Sequence, residues 1–326
     1  MALRREQTSR VENRNSKIAC LTPFVVCPTN GVRHAILLFD IIDGLTCLLK
    51  LLARNIRRPQ YGHKLMQDLR ERVALVTGGS RGVGRGTALG LAEAGATVYV
   101  TGRTVEDTPV GDGCIPVCCD HTNDSDVEAV FARIAHEHGR LDLLVNNVWG
   151  GYENMVENGE FTWGVPFWRQ PMWRWDAMFA AGVRAHYSAS RGAARLMVPR
   201  RRGLIVNISF WSAQKYIGNV AYGVAKAATD KMTSDMSREL REHDVAIVSL
   251  YPGLVRTEKV MEAAAFLDLS NSESPQFIGR AVAALAADPD VMRYSGQVVV
   301  AAALAQEYGF ADIDGKQPRP LTLNDV

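Results

Sequence analysis

From Arg72 onward, short apolar runs alternate with longer segments in which apolar residues recur every three or four positions. Val73-Ala-Leu-Val-Thr77 is rich in β-branched residues and ends at a glycine turn, which predicts a strand. A helical pattern follows to Ala94, and Gly95 ends it. Thr97 to Thr101, Cys114 to Cys119, Leu141 to Asn146, Leu204 to Ser209, Val245 to Leu250 and Gln297 to Val300 read as further strands. Helices are expected over 123–138, 175–199 and 221–242. This alternation predicts an α/β fold with a doubly wound, mostly parallel sheet, whose ligands bind beyond the carboxyl ends of the strands. Only Thr104 to Gly113 join the second strand to the third, which is tight for a parallel crossover of about a dozen residues. One face of the sheet is expected to be less covered there, leaving the neighbouring pocket more open.

The first 70 residues follow another pattern and are read as an extension in front of a single domain at 71–326. The start is polar and basic, and Ala35 to Ala53 is almost continuously apolar. Asp40, Asp43, Cys47, Lys50 and Arg54 share a three-four spacing, which predicts an amphipathic helix at 35–57 rather than a membrane span. Its apolar face suits the body of the protein, a partner or a membrane surface, and Pro59 would end it. The acidic Glu6 and Glu12 and the length of the charged region do not fit a secretory signal, so a cytoplasmic location is expected. Met66 lies just ahead of the first strand, which leaves open a functional protein that starts there.

Composition narrows the classes. The 326 residues are 47% hydrophobic and 22% charged, which excludes disorder and collagen-like repeats. The 37 basic and 35 acidic side chains nearly cancel, so nothing points to nucleic acid as a partner. That balance hides a split: residues 1–72 carry 13 basic and 6 acidic side chains, and the remainder 24 and 29. Six cysteines without a C-x-x-C pair read as reduced thiols, with Cys118 and Cys119 expected in the core. His121, His136 and His138 read as polar loop and helix-surface positions, and no metal site is expected.

Candidate chemistry lies at three places. Thr77-Gly-Gly-Ser-Arg-Gly-Val-Gly84 joins the first strand to the first helix, where glycines let the backbone approach a pyrophosphate and a helix N-terminus offers free amides. The second strand ends Thr101-Gly102-Arg103, without the carboxylate that bonds the ribose 2′-hydroxyl of NAD. Arg103 and Arg81 suit a 2′-phosphate instead, which favours NADP(H), with NAD(H) as the alternative. Tyr222 and Lys226, four residues apart at the start of a helix, project from one face, and Ser209 ends the preceding strand. A neighbouring ammonium is expected to bring the phenol down from its usual value near ~10 toward working pH.

These motifs, with Asn146-Asn147 after the fourth strand and Pro252-Gly253 followed by Val255 and Thr257, resemble the short-chain dehydrogenase/reductase family over roughly residues 71–326. The resemblance implies one Rossmann-type domain, a nicotinamide dinucleotide as hydride carrier and a Ser-Tyr-Lys site. Ser209 would polarise the substrate oxygen, Tyr222 would be the acid/base, and Lys226 would bind the nicotinamide ribose and tune Tyr222. Cofactor contacts would come from Thr77, Gly78, Ser80, Arg81, Gly82, Val83, Gly84, Arg103, Asp120, Asn146, Tyr222, Lys226, Pro252, Gly253, Val255 and Thr257. Arg195-Leu-Met-Val-Pro199 and Tyr308-Gly-Phe-Ala-Asp-Ile-Asp-Gly315 are similar to one subgroup, the family-member-1-like dehydrogenase/reductases. That likeness implies NADPH-dependent reduction of ketones and aldehydes. A homodimer or homotetramer would form through the two long helices.

Two departures stand out. The family usually places a fourth catalytic residue, an asparagine, where this chain has Gly182, which puts the usual proton relay in doubt. His186 is read as a helix-packing residue. All six tryptophans fall between 149 and 211, and Trp149 and Trp211 are expected to wall a bulky, apolar carbonyl substrate beside Ser209. A catalytically silent NADP(H)-binding sensor or scaffold is the alternative, although such a protein needs no aligned proton donor. Epimerisation or dehydration on the same scaffold is a third reading.

Overall fold

A computed structural model describes residues 68–157 and 159–326. The helix expected at 35–57 and the start at Met66 lie outside the described residues. Strands β1 (Val73–Thr77), β2 (Thr97–Gly102), β3 (Cys114–Cys118), β4 (Leu143–Asn146), β7 (Gly203–Ile208), β8 (Val245–Tyr251) and β9 (Val298–Val300) form one parallel sheet in the order β3-β2-β1-β4-β7-β8-β9. The small strands β5 (Val156–Glu157) and β6 (Glu160–Phe161) pair separately as a hairpin. From β1 the chain runs outward to β2 and β3, then crosses back to β4 on the other side. That reversal opens a crevice at the carboxyl ends of β1 and β4. The Rossmann-type sheet expected from the alternation is present.

Helices cover both faces. On one, α1 (Gly82–Glu93), α7 (Pro275–Ala287) and α8 (Ala301–Tyr308) close a core that includes Leu91, Val100, Phe277, Val282 and Leu304. On the other, α2 (Asp124–His138), α4 (Ala185–Met197) and α5 (Val220–Leu240) bury Ile134, Leu144, Ala189, Ala193 and Leu240. The remaining helices are short, α3 (Met172–Ala177) and α6 (Glu258–Glu262). A π-helical stretch, Met178–Arg184, joins α3 to α4, so the expected helix over 175–199 is interrupted by wide turns.

The short crossover contains no helix. Val105 and Val110 fold down from it into the core, a smaller cover than a helix would give. Edge strand β3 is accordingly only half-buried, and Cys118 at its end is exposed. The placement of Cys118 in the core is therefore corrected; Cys119 is buried as expected. Among the described residues no helix is long and apolar enough to cross a membrane.

Candidate active site

Helix α1 begins differently from its neighbours. Asn123, Asn219 and Ser274 cap α2, α5 and α7 with side-chain oxygens, whereas Arg81 makes no such bond and no acid lies in the first turn of α1. Its first amides are therefore left for an external partner. Gly82 N donates to a Glu258 carboxylate oxygen at 3.0 Å, so an anion already stands at this terminus. Gly82 has φ +57, and a Cβ at Gly84 would meet Asn147 Nδ2 and the Gly78 carbonyl oxygen at 2.3 Å, so neither position takes a larger residue without distortion. The turn is tied to β4 by Asn147, whose Nδ2 donates to the carbonyls of Thr77 (3.1 Å) and Gly78 (2.8 Å). Thr77 Oγ1 in turn accepts from Asn147 N and Val148 N.

Along the strand ends runs a cavity of about 620 Å³, lined by Gly78, Ser80, Arg81, Arg103, Asp120 and Trp149 among others. Among the described residues, neither Arg81 nor Arg103 makes an ion pair with an acid. Asp120 accepts from Thr122 N and Oγ1, which holds its carboxyl below the usual range. After β8, Gly253 N and Val255 anchor the chain to Glu273, and Thr257 caps α6 close against Gly82. Burial pushes Glu273 up to about 7. A glycine cradle, a helix terminus whose N-cap residue makes no side-chain cap and, among the described residues, two guanidiniums without an ion pair fit a dinucleotide. Asn146 is placed elsewhere. It is fully buried and donates to Ser190 Oγ and Asn207 Oδ1, so it locks β4 to β7 and α4, while the neighbouring Asn147 faces the cavity.

The proton-handling groups meet where β7 ends against α5. Ser209 Oγ donates to the Lys226 carbonyl at 3.5 Å, and Lys226 Nζ donates to the Ile208 carbonyl at 3.0 Å, so strand and helix brace each other. Asn219, which the sequence reading missed, holds the start of α5. Its Oδ1 accepts from Tyr222 N at 3.0 Å, and its Nδ2 donates to the Trp163 carbonyl at 2.9 Å. Burial lowers Lys226 to about 7, with Asp230 opposing, and raises Tyr222 against the hydroxyls of Tyr152 and Ser212. The expected fall of Tyr222 toward working pH is thus absent, because dehydration outweighs the hydroxyls that oppose it. His186 is buried, bonds the Val148 carbonyl through Nε2, and is held down to about 3 by burial and by Lys226.

Tyr222 sits in an aromatic cage. Trp163 lies 5.4 Å from its ring, Trp149 5.6 Å and edge-on, Tyr152 6.1 Å and Phe210 6.4 Å. Tyr152, Trp163 and Phe210 carried no sequence signal beyond the aromatic density of the segment. Trp211 lies apart from this cage, buried edge-on against Tyr251 at 5.1 Å. The segment carrying the cage is pinned by Arg174, a fully buried guanidinium that donates to the carbonyls of Asn154 and Thr162 and to Thr162 Oγ1 and Gln170 Oε1. Gln170 Nε2 holds the carbonyls of Thr162, Trp163 and Val165.

A nucleotide cradle at a sheet switch point beside a buried serine, tyrosine and lysine defines a dinucleotide-dependent oxidoreductase. The short chain dehydrogenase model matches residues 72–267, and the chain belongs to that family. It is 42% identical over 274 residues to mouse dehydrogenase/reductase SDR family member 1, covering 77% of this chain and 86% of that protein. A 3-oxoacyl-[acyl-carrier-protein] reductase of Vibrio cholerae is 30% identical over 197 residues, 59% of this chain and 76% of its own. A solved short-chain alcohol dehydrogenase structure from Sinorhizobium meliloti 1021 superposes with a TM-score of 0.60 at 25% identity, over 72% of this chain and 96% of that one. Family members use NAD(P)(H) as the hydride carrier, and homologues are oxidoreductases acting on CH–OH groups.

Proposed function

We propose that the protein is an NADP(H)-dependent reductase that interconverts a bulky, apolar ketone or aldehyde and its alcohol, with Tyr222 as acid/base. The observation that carries the cofactor choice is the pair Arg81, in the glycine turn, and Arg103, after β2, on one cavity and, among the described residues, without an ion pair to a carboxylate. A bound nicotinamide supplies the hydride to the carbonyl carbon. Ser209 polarises the carbonyl oxygen, Tyr222 delivers its phenolic proton to the alkoxide, and the Lys226 charge stabilises the phenolate that remains. Thr77, Gly78, Ser80, Gly82, Val83, Gly84, Asp120, Pro252, Gly253, Val255 and Thr257 are read as cofactor contacts on the same grounds. Asn146 is read as holding the strand end beneath them. The cage of Trp149, Tyr152, Trp163 and Phe210 supports the apolar substrate, since rings near the reacting group bind by area rather than by hydrogen bonds.

Arg103→Ala tests the cofactor reading. Loss of a charge-assisted hydrogen bond of about 1.5–3 kcal/mol is expected to raise the KM for NADPH roughly 10- to 100-fold and to leave that for NADH nearly unchanged. A wild-type preference for NADH would sink it. The reading extends to a homodimer or homotetramer formed through α4 and α5, which flank an exposed groove of about 570 Å³ that includes Tyr187, Arg195, Met232 and Met236. Light scattering at micromolar concentration tests this, and a monomeric mass would remove it.

A further inference from the structure

The ring of Trp149 fills the space between Gly182 and Lys226. Lys226 Nζ lies 3.9 Å from the centre of the indole, well inside the roughly 6 Å at which a cation is drawn to an aromatic face. On the other side, a Cβ at Gly182 would come within 2.4 Å of the same ring, so the indole reaches this place only because residue 182 has no side chain. The π-helical stretch carries Gly182 inward, where it is buried. Trp149 Nε1 is buried without a hydrogen-bond partner among the described residues, a cost that leucine or phenylalanine would avoid in simple space filling. Tryptophan also offers the strongest face for a cation.

We propose that Trp149 is a positioning residue for Lys226: its ring holds the ammonium in place and supports its charge, in a site where residue 182 provides no side chain to do so. The inference rests on the reading of Lys226 and Tyr222 as the proton-handling pair. Three supports then surround the ammonium: the Ile208 carbonyl, the indole face, and the Tyr222 ring, whose centre is 5.8 Å away. Other titratable groups bear on the same charge. Asp230, one turn further along α5, favours it, and His186 on α4 is itself held neutral in part by it. Tyr152 from the aromatic segment and Tyr251 from β8 lie beside Tyr222 and Asp230 respectively. Leucine in place of the indole keeps an apolar side chain over the ammonium, so the dehydration that lowers Lys226 persists, and takes away one stabiliser of the cation, so the pKa of Lys226 falls. A weaker ammonium in turn leaves the phenol of Tyr222 harder to ionise.

The test uses the full-length protein without cofactor. Carbon-13 spectra of labelled lysine are titrated, with the Lys226 signal identified by its loss in Lys226→Arg. Trp149→Leu is expected to lower the Lys226 pKa by about 0.5–1 unit, and Trp149→Phe by less, because a phenyl face is kept. In turnover, the limb of the pH profile for alcohol oxidation is expected to move to higher pH in Trp149→Leu. An unchanged Lys226 pKa in both Trp149 variants, with loss only of melting temperature or of kcat, would make Trp149 a packing residue and overturn the proposal. Because the lysine titration needs neither cofactor nor turnover, it reads out even if the acid/base assignment of Tyr222 fails.

Discussion

Tyr222→Phe is expected to lower turnover about 10²- to 10⁴-fold, the usual contribution of a positioned general acid. The substitution removes one oxygen and keeps the ring, so its contacts with Trp149, Tyr152, Trp163 and Phe210 persist. The Asn219 bond to residue 222 is made to the backbone amide and also persists. Melting temperature and NADPH affinity, read by nucleotide fluorescence, are therefore expected to stay close to wild type while the chemical step collapses. Variants that lose binding and turnover together would indicate a disturbed fold instead. Turnover retained to within a few fold would refute the assignment of Tyr222 as acid/base.

The second large effect concerns stability. Arg174→Met keeps much of the side-chain length but leaves the Asn154 carbonyl and Thr162 Oγ1 without their buried donor, and the Thr162 carbonyl with Gln170 Nε2 alone. Leaving a buried acceptor without its donor costs roughly 1–3 kcal/mol, because the group left behind stays dehydrated. The cost falls on the segment between β4 and α3, since almost all of the guanidinium's partners lie within it. Limited proteolysis is expected to cut first within residues 152–170, and KM for a bulky ketone is expected to rise as Trp163 leaves Tyr222. Unchanged protease resistance and melting would show that Arg174 does not hold the segment.

Much of this was legible before any coordinates. β-branched runs and the glycine turns that close them located the strands, and Tyr222 and Lys226 needed only helical spacing. Asn146 and Asn147 show where that reading stops. The two are identical in type and adjacent, and only the parity of β4 decides that one faces the core and the other the cavity. Helix α7 was missed because Pro275 to Ala287 is almost wholly apolar, with Gln276 and Arg280 its only polar side chains, although Ser274 followed by Pro275 is a start signal that could have revealed it. The wide turns at Met178–Arg184 have no local signature, and the Trp149 ring that lies against Gly182 within them comes from a residue distant in sequence. Arg174 reads in sequence as one more surface arginine, and only the folded segment around it shows that it is enclosed.

The contact between α1 and α7 bears on how the chain is made. Gly86 and Gly90 approach Pro275 and Gly279 so closely that a Cβ at Gly86 would lie 2.2 Å from the Pro275 carbonyl carbon. The helix that opens the nucleotide cradle thus gains its packing partner from near the far end of the polypeptide. During synthesis its glycine face stays bare until that late helix has left the ribosome, and such distant pairings are reached slowly. A chain released before Pro275 would keep the whole glycine turn and every proton-handling residue, yet lack the surface that seats them.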